Sequence, residues 1–246
     1  MILRRLAEHL RQQHWTGVFI ELVIVVLGVF IGLQVSNWNE ARRERSLERQ
    51  YLERLREDFT RSASAAEGGV EFMESQSRKA TLVLDRLGPC VLDAGQRAEF
   101  ASALSLLGRI EPPMMTRGTI DELGSTGRLG IIRSVALRRA LSDVIQEQER
   151  TTQVLGFIVA RRSAPQWYVD ARKTSLLDED AGSGGQLRSD EAEFDFPALC
   201  RDPTFINAVS HLRQLSSVVA GQNRRLLKRH RDMVAMLDAE LARANP

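Results

Sequence analysis

The segment Val18–Val35, VFIELVIVVLGVFIGLQV, decides how the rest of this sequence is interpreted. Its one charged member is Glu21, close to the start. A helix of this length crosses the ~30 Å hydrocarbon core of a bilayer. Trp15 and Trp38 flank the segment 23 residues apart, about 34 Å along a helix and close to the spacing of the two interfacial aromatic belts. The sequence therefore predicts a transmembrane helix over residues 17–36, with both tryptophans as interfacial anchors.

Two other interpretations of this apolar segment are weaker. A buried core helix of a soluble protein would show a polar face, which the segment lacks. A cleaved signal peptide would end at a small-x-small cleavage site, and the residues that follow, Ser36-Asn37-Trp38-Asn39-Glu40, do not resemble one. We therefore predict an uncleaved signal anchor that crosses the membrane once.

The composition of the whole chain narrows the class of protein further. Of its 246 residues 43% are hydrophobic and 27% charged, which excludes a disordered or collagen-like protein. Only 6% are aromatic and seven are proline, a mixture typical of helical proteins. The net charge of +2 is too small to indicate a nucleic-acid partner. An average composition of this kind describes a soluble domain, so the membrane prediction depends on how the apolar residues are distributed.

The orientation in the membrane follows from two opposing arguments. Basic residues precede the span at Arg4, Arg5 and Arg11, and more of them follow it: Arg42, Arg43, Arg45, Arg49 and Arg54. This count by itself favours the opposite orientation, but long domains translocate largely regardless of charge. Two cysteines suit an oxidising compartment. We predict a cytoplasmic N-terminus, with residues 1–16 as a short amphipathic segment, and a periplasmic domain over residues 37–246.

Small residues in the span predict a packing face for a second helix. Gly28 and Gly32 form a GxxxG pattern, and Gly17 and Glu21 extend the same face. Small residues let two membrane helices approach closely, and a carboxyl group on that face can form a hydrogen bond to the partner helix. Self-association through Gly28 and Gly32 is one interpretation. The alternative for Glu21 is a side chain that extends to the membrane interface.

Two segments of the sequence resemble a known family. The first is GVFIELVIVVLGVFIGLQVSNWNEARRER, from Gly17 to Arg45, and the second is TIDELGSTGRL, from Thr119 to Leu129. They resemble an uncharacterised bacterial family of single-pass membrane proteins with a VVxGVFIGLQ helix followed by NWNE, and a later T-x-x-E-L-x-S-T-G-x-L segment. The resemblance implies one membrane helix, in the bacterial inner membrane, and a helical extramembrane domain. It implies no activity, cofactor or catalytic residue.

After the span, the pattern predicts a series of helices in an elongated antiparallel bundle. A charged amphipathic helix should continue to about Ala66, bend at Gly68-Gly69 and resume from Val70 to Leu87. A short helix should follow from Gln96 to Leu107. The spacing of Thr119 and Glu122 predicts a capping box at the start of another short helix, and the STGRLG string after it predicts a tight turn. This string does not match a phosphate-binding loop.

Two long helices carry regular apolar stripes. The first should begin at the N-cap Ser134 and run to about Tyr168, with one face formed by Leu137, Leu141, Val144, Gln148, Thr151, Leu155 and Ile158. The second should run from about Pro203 to Arg243, with a heptad stripe formed by Phe205, Val209, Leu212, Ser216, Val219, Asn223, Leu226, His230, Met233 and Leu237. This stripe, over 205–237, predicts a partner helix from the same chain or from a second subunit.

Charged segments lie on either side of the start of the last helix. Residues 174–203 are rich in Asp and Glu around a Gly-Ser-Gly-Gly run, which predicts a flexible acidic loop. Five basic residues follow within the helix: Arg224, Arg225, Lys228, Arg229 and Arg231. They could contact an anionic partner or lipid headgroups. The alternative for this cluster is a solvated helix face.

The two cysteines predict a disulfide. Cys90 follows the outgoing helix and Cys200 precedes the final helix, so an antiparallel arrangement brings them to the same end. A bridge between residues 110 positions apart stabilises by about 4 to 5 kcal/mol in the chain-entropy model. Two free buried thiols are the alternative.

No motif in the sequence indicates catalysis. The four histidines are scattered, and neither H-E-x-x-H, C-x-x-C nor G-x-S-x-G occurs. We therefore expect no catalytic residue, metal or cofactor. The leading hypothesis is a non-enzymatic scaffold or interaction subunit of a membrane complex. Its partners would be the bilayer, another membrane protein or a second copy of the chain. The alternative is a periplasmic ligand-sensing helical module that signals through a partner membrane protein.

Overall fold

A computed structural model describes residues 15–111, 114–174 and 192–243 of the chain. Over these residues the secondary structure is helical, apart from one isolated β-bridge between Thr174 and Glu193. Short 3-10 turns cover Ala94–Gln96 and Arg128–Ile131. The α-helices are α1 Trp15–Leu87, α2 Arg97–Leu106, α3 Gly118–Ser125, α4 Val135–Asp170, α5 Phe196–Cys200 and α6 Pro203–Arg243. The all-α fold class is therefore confirmed.

The chain separates into two compact units, Met1–Gln50 and Tyr51–Pro246. In the first unit, α1 is the one described helix long and apolar enough to cross a membrane. Its apolar side chains from Phe19 to Val35 are all exposed, and Phe30 keeps 57% of its surface accessible. Nothing in the described chain covers this segment. The predicted amphipathic segment 1–16 lies almost wholly outside the described residues.

The helix α1 continues without interruption through Gly68-Gly69. The reason is a core stripe with alternating spacings of three and four residues that runs across the glycine pair unbroken: Leu52, Leu55, Phe59, Ser62, Ala66, Gly69, Met73, Gln76, Ala80, Val83 and Leu87. A Cβ atom at Gly69 would lie 2.7 Å from Nδ2 of Asn223 on α6. The glycine therefore serves close packing between helices, whereas Gly68 has open space around its Cα.

The two long helices predicted from their stripes are both present. Ser134 caps α4, and its hydroxyl accepts a hydrogen bond from the Leu137 amide at 3.3 Å. Every residue of the two predicted stripes is buried. The helix α6 packs against α4 of the same chain. The heptad stripe thus has a partner within the chain.

The helix α6 also packs against α1 within the second unit. Over the whole contact, residues further along α1 meet residues earlier in α6: the rings of Phe59 and His230, with centroids 5.7 Å apart, lie near one end and Ser77 with Ser217 near the other. The other contacts of this series are Glu67 with Arg231, Gly69 with Asn223, and Glu74 with Arg224. The residue numbers therefore run in opposite directions along the two helices.

The buried apolar side chains form clusters between these helices. One cluster joins Met73 of α1, Leu155 and Ile158 of α4, and Val219 and Ala220 of α6. A larger cluster unites residues of α1, α2, α4, α5 and α6: Ala80, Val83, Leu87, Phe100, Ala103, Leu104, Leu107, Val169, Phe196, Leu199, Phe205, Ala208, Val209 and Leu212. The short helices α2 and α5 are thus held by burial against the long ones.

The helix α3 is capped from a distance, and the predicted capping box is wrong. Asp58, 5% exposed on α1, accepts a hydrogen bond from the backbone amide of Thr119 at 3.1 Å. Glu122 turns away from the helix start and accepts from the Tyr51 hydroxyl at 2.8 Å and from the Arg54 guanidinium. These two hydrogen bonds, from Arg54 first, hold the pKa of Glu122 below its usual value. The Thr119–Leu129 segment thereby packs against α1.

The turn after α3 forms as expected. Gly127 adopts a left-handed conformation with φ of 67°, which favours glycine. The amide of Thr126 donates to the Glu122 carbonyl, and the amide of Gly127 donates to the Gly124 carbonyl. Both amides are therefore used within the turn, in agreement with a helix terminus and not a phosphate loop.

The last part of the range 174–203, predicted as a flexible acidic loop, contains a helix. Residues 175–191 lie outside the described residues, but α5 occupies the end of the range. Asp195 caps α5 by accepting from the Ala198 amide at 3.1 Å. Asp202 caps α6 by accepting from the Phe205 amide at 3.0 Å, and it also accepts from the Tyr168 hydroxyl. These acidic residues are helix caps, which the composition of the segment concealed.

Candidate functional site

The predicted packing face of the span is unoccupied within the described chain. A Cβ atom at Gly28 or Gly32 would meet nothing within 4 Å, and Glu21 lies among exposed residues. Trp38 is 62% exposed, and the Arg42 guanidinium lies 5.8 Å from the centre of its ring. The side chain of Trp15 lies outside the described part of the structure. The helix-packing role of Glu21, Gly28 and Gly32 and the interfacial role of Trp15 and Trp38 therefore stay predictions.

The structure pairs Cys90 with Cys200. Their Cα atoms lie 5.5 Å apart, within the range that disulfides require. Cys90 has a left-handed backbone with φ of 55°, in the turn that ends α1. Cys200 is the last residue of α5. The topological argument that brought both residues to one end of the second unit is therefore consistent with their positions.

Most of the basic cluster on α6 is engaged by carboxylates of the same chain. Arg224 pairs with Glu74, and Arg231 pairs with Glu67 at 2.7 Å. The other ion pairs of the cluster join Lys228 to Asp232 and Arg229 to Glu147. Arg225 is exposed on the same helix. The positions of these five residues favour the alternative of a solvated, ion-paired helix face.

Polar residues occupy the middle of the α6 stripe, where burial is complete. Asn223 is 0% exposed and His230 is 1% exposed. Burial lowers the pKa of His230 to about 4, so this histidine is neutral at pH 7. Its ring packs on Phe59. A neutral ring enclosed in the core fits a structural position better than a proton-transfer role.

The outer face of α4 is apolar in its second half. Phe157 is 62% exposed and Trp167 is 80% exposed. Ala160 and Ala164 lie between these two aromatic residues, Gly156 precedes Phe157, and all three are exposed on the same side of the helix. We call these five residues the α4 surface. Large exposed aromatic side chains on one face are typical of interaction surfaces.

A pocket of about 490 Å³ lies where α2 ends against α4. It forms because Gly108, with φ of 78°, reverses the chain after α2 and leaves no room for a side chain beside Gln166. Three α4 residues line it from one helix face, Arg162, Gln166 and Asp170, and Lys173 lines it from just after the end of α4. Ser105, Leu107 and Arg109 complete the lining. We call this the cationic pocket.

Basic side chains in α4 and just after it bind the carbonyl groups at and after the end of α2. Lys173 donates to the Leu104 carbonyl at 2.8 Å and to the Ser105 carbonyl at 3.0 Å. Arg162 donates to the Gly108 carbonyl at 2.8 Å. The carbonyls at a helix end have few partners within the helix, and the negative end of the helix dipole favours cations there. The contacts explain why basic side chains collect at this point.

The cations of the pocket exceed its carboxylates. Only Asp170 supplies negative charge among the lining residues, through an ion pair with Lys173 at 3.1 Å. Burial lowers the pKa of Lys173 despite this pair, and Arg109 lowers it further. Burial and Arg109 also lower the pKa of Lys79. Positive charge is therefore crowded here and incompletely neutralised.

Sequence reasoning missed the cationic pocket, although one signal for it was present. The spacing of Arg162 and Gln166 by four residues places two polar side chains on one face of the predicted helix, and Asp170 and Lys173 follow its predicted end near Tyr168. The contribution of α2 could not be read from that spacing. Within the described ranges, no group of three or more His, Cys, Asp or Glu residues is arranged to hold a metal ion.

Comparisons of the chain with protein-family models, with curated proteins and with solved structures found no match.

Proposed function

We propose that this chain is a single-pass protein of the bacterial inner membrane, with a cytoplasmic N-terminus and a periplasmic domain. The fully exposed apolar segment Phe19–Val35 supports the span, because such a surface is stable in lipid and not in water. The paired cysteines support the oxidising side of the membrane. Protease added to intact spheroplasts should digest the domain. Protection of the domain until the membrane is opened would contradict this orientation.

The domain from Tyr51 is, in this proposal, an antiparallel helical bundle joined by a Cys90–Cys200 disulfide. The opposite numbering of the contacts between α1 and α6 supports the arrangement. Thiol blocking of intact cells followed by non-reducing electrophoresis tests the disulfide. If the blocking reagent labels both cysteines in protein from the native envelope, the thiols were free. This result would contradict both the disulfide and the periplasmic location.

The function that the geometry supports best is that of a non-enzymatic scaffold or interaction subunit in a membrane complex. The observation that carries this proposal is the α4 surface, with Phe157 and Trp167 exposed. The opposite face of the same helix is packed against α6. One face of α4 is therefore buried within the chain, and a second, apolar face is exposed. An exposed apolar face of this kind is suited to bind another protein. Self-association through Gly28 and Gly32 would place two such surfaces in one assembly.

Crosslinking and pull-down from native membranes test this function. The wild-type chain should capture a reproducible protein partner or a second copy of itself. The double variant Phe157→Ser with Trp167→Ser should lose that partner while circular dichroism shows an unchanged helix content. The control Arg139→Ser changes an exposed residue of α4 outside the surface and should keep the partner. A monomer without a reproducible partner, or a partner retained by the double variant, would contradict the scaffold proposal.

A ligand-sensing module is the second candidate, and the cationic pocket favours it. Its residues come from two elements, α2 and α4, so a bound ligand would connect them. In this candidate the chain signals through a partner membrane protein. The same pull-down, repeated with the pocket variant Arg109→Gln, distinguishes the two candidates. A sensing module should change its partner, or the amount of partner that it binds. A pure scaffold should bind the same partner in the same amount.

A further inference from the structure

The basic side chains of the cationic pocket have hydrogen-bond partners, but the lining contains too few carboxylates to neutralise their positive charge. Arg162 and Lys173 donate to backbone carbonyls, which are neutral dipoles. Asp170 is the one carboxylate in the lining, against three basic side chains. Arg109 is exposed at the edge of the pocket, and no carboxylate in the described residues pairs with it. A bound anion would neutralise this excess of charge.

Three buried polar atoms of the lining residues have no partner in the described chain. They are the hydroxyl Oγ of Ser105, the Nε of Arg162 and the Oε1 of Gln166. Ser105 is 6% exposed, and an unpaired hydroxyl at that depth costs free energy unless something binds it. The Ser105 hydroxyl and the Arg162 Nε can donate a hydrogen bond, whereas the Gln166 amide oxygen accepts one. Two of the three atoms therefore require an acceptor.

We propose that the cationic pocket binds a small oxyanion, a phosphate or carboxylate group, with Arg109, Arg162 and Ser105 as the donors and Lys173 as a neighbouring charge. The planar guanidinium matches the paired oxygens of such groups. A volume of about 490 Å³ accommodates a small ligand. This site is separate from the α4 surface, so it stands or falls independently of the scaffold proposal.

Titration calorimetry on the full chain in a neutral detergent tests the site. The probes are inorganic phosphate, sulfate and succinate, with sodium chloride at matched ionic strength as the control. At least one probe should bind saturably, and chloride should not. Because the anion could instead be a lipid headgroup, a second arm measures binding to vesicles of neutral lipid with and without an anionic phospholipid.

Three variants identify the pocket as the binding site. Arg109→Gln should weaken binding about ten- to hundredfold, the range for losing one charge-assisted hydrogen bond. Asp170→Asn should strengthen binding, since it removes the competing negative charge. Arg139→Gln, an exposed arginine of α4 away from the pocket, should match the wild type. Arg109 makes no hydrogen bond to the described backbone, so its loss should leave the thermal unfolding midpoint unchanged.

The outcomes separate clearly. Saturable binding of a free probe that depends on Arg109 supports a soluble anion as ligand. Binding only to anionic vesicles, again dependent on Arg109, supports a headgroup with the same chemistry. Equal binding by Arg109→Gln and Arg139→Gln would overturn the proposal, as would a lack of saturable binding in both arms.

Discussion

The two parts of α1 carry their apolar residues in different patterns, although they belong to one helix. From Phe19 to Val35 apolar residues cover every side, and all remain exposed in the isolated chain. From Leu52 to Leu87 apolar residues occupy one stripe with spacings of three and four, and that stripe is buried by protein. In the proposed span the first pattern suits lipid, whereas the second suits a protein core. The distribution of apolar residues around the helix makes this difference, and their total number does not.

The largest expected effect comes from adding charge to the first part. The double variant Val25→Arg with Val29→Arg should oppose insertion by about 5 to 7 kcal/mol, since each arginine at a membrane centre costs about 2.5 to 3.5 kcal/mol. The protein should become extractable from membranes by alkaline carbonate. Ser64→Arg with Gly68→Arg places the same two charges, equally spaced, on an exposed side of the second part and should leave the protein membrane-bound.

The next effect concerns the loss of an aromatic ring. Phe59, 0% exposed, packs in the core of the second part, so Phe59→Ala should lower the free energy of unfolding by about 3 to 5 kcal/mol. Phe30→Ala removes the same ring from the exposed first part. It should leave denaturant unfolding of the domain unchanged. Equal losses from both substitutions would mean that the two parts of α1 are not stabilised separately.

The polar position opposite Phe59 predicts a dependence on pH. The pKa of His230 is lowered to about 4 in the folded state against an ordinary value near 6.5. The unfolded chain therefore binds the additional proton, and stability should fall as the pH drops from about 6.5 to about 4, by up to about 3 kcal/mol. His230→Asn should flatten this part of the stability curve measured by urea unfolding. An unchanged slope in the variant would show that other groups cause the loss.

The smallest pair of effects has opposite signs at adjacent positions. Gly69→Ala places a Cβ against Asn223 and should destabilise the domain by about 1 to 3 kcal/mol. Gly68→Ala fills open space on an exposed helix position and should stabilise it by about 0.5 to 1 kcal/mol. Thermal unfolding of the two single variants measures the difference. Destabilisation by both would indicate that α1 needs flexibility at the glycine pair.

Periodicity in the sequence predicted the long helices well, because their burial repeats locally. The stripes of α4 and α6 were predicted residue by residue, and Ser134 was identified as a cap. The same reasoning applied to α1 stopped at Gly68-Gly69, where composition suggested a bend. Following the heptad spacing from Leu52 through Gly69 to Leu87 would have predicted the continuous helix.

Contacts between residues distant in sequence were the part that could not be predicted. Asp58 replaces Thr119 as the cap of α3, and no local pattern links two residues 61 positions apart. Asp195 and Asp202 belong to the acidic composition that indicated a loop. Their role as helix caps depends on where α5 and α6 begin. The cationic pocket requires the end of α2 to meet one face of α4, which is a property of the tertiary fold.

The distant cap on α3 also bears on the order in which the chain folds. A helix of eight residues is too short to persist alone, and this one has no capping side chain of its own. Its first turn therefore becomes stable only after the loop of about 60 residues back to Asp58 has closed, which delays it relative to α1. In the folded protein the same dependence makes α3 open as one unit, so its amides should exchange with solvent deuterium sooner than those of α6.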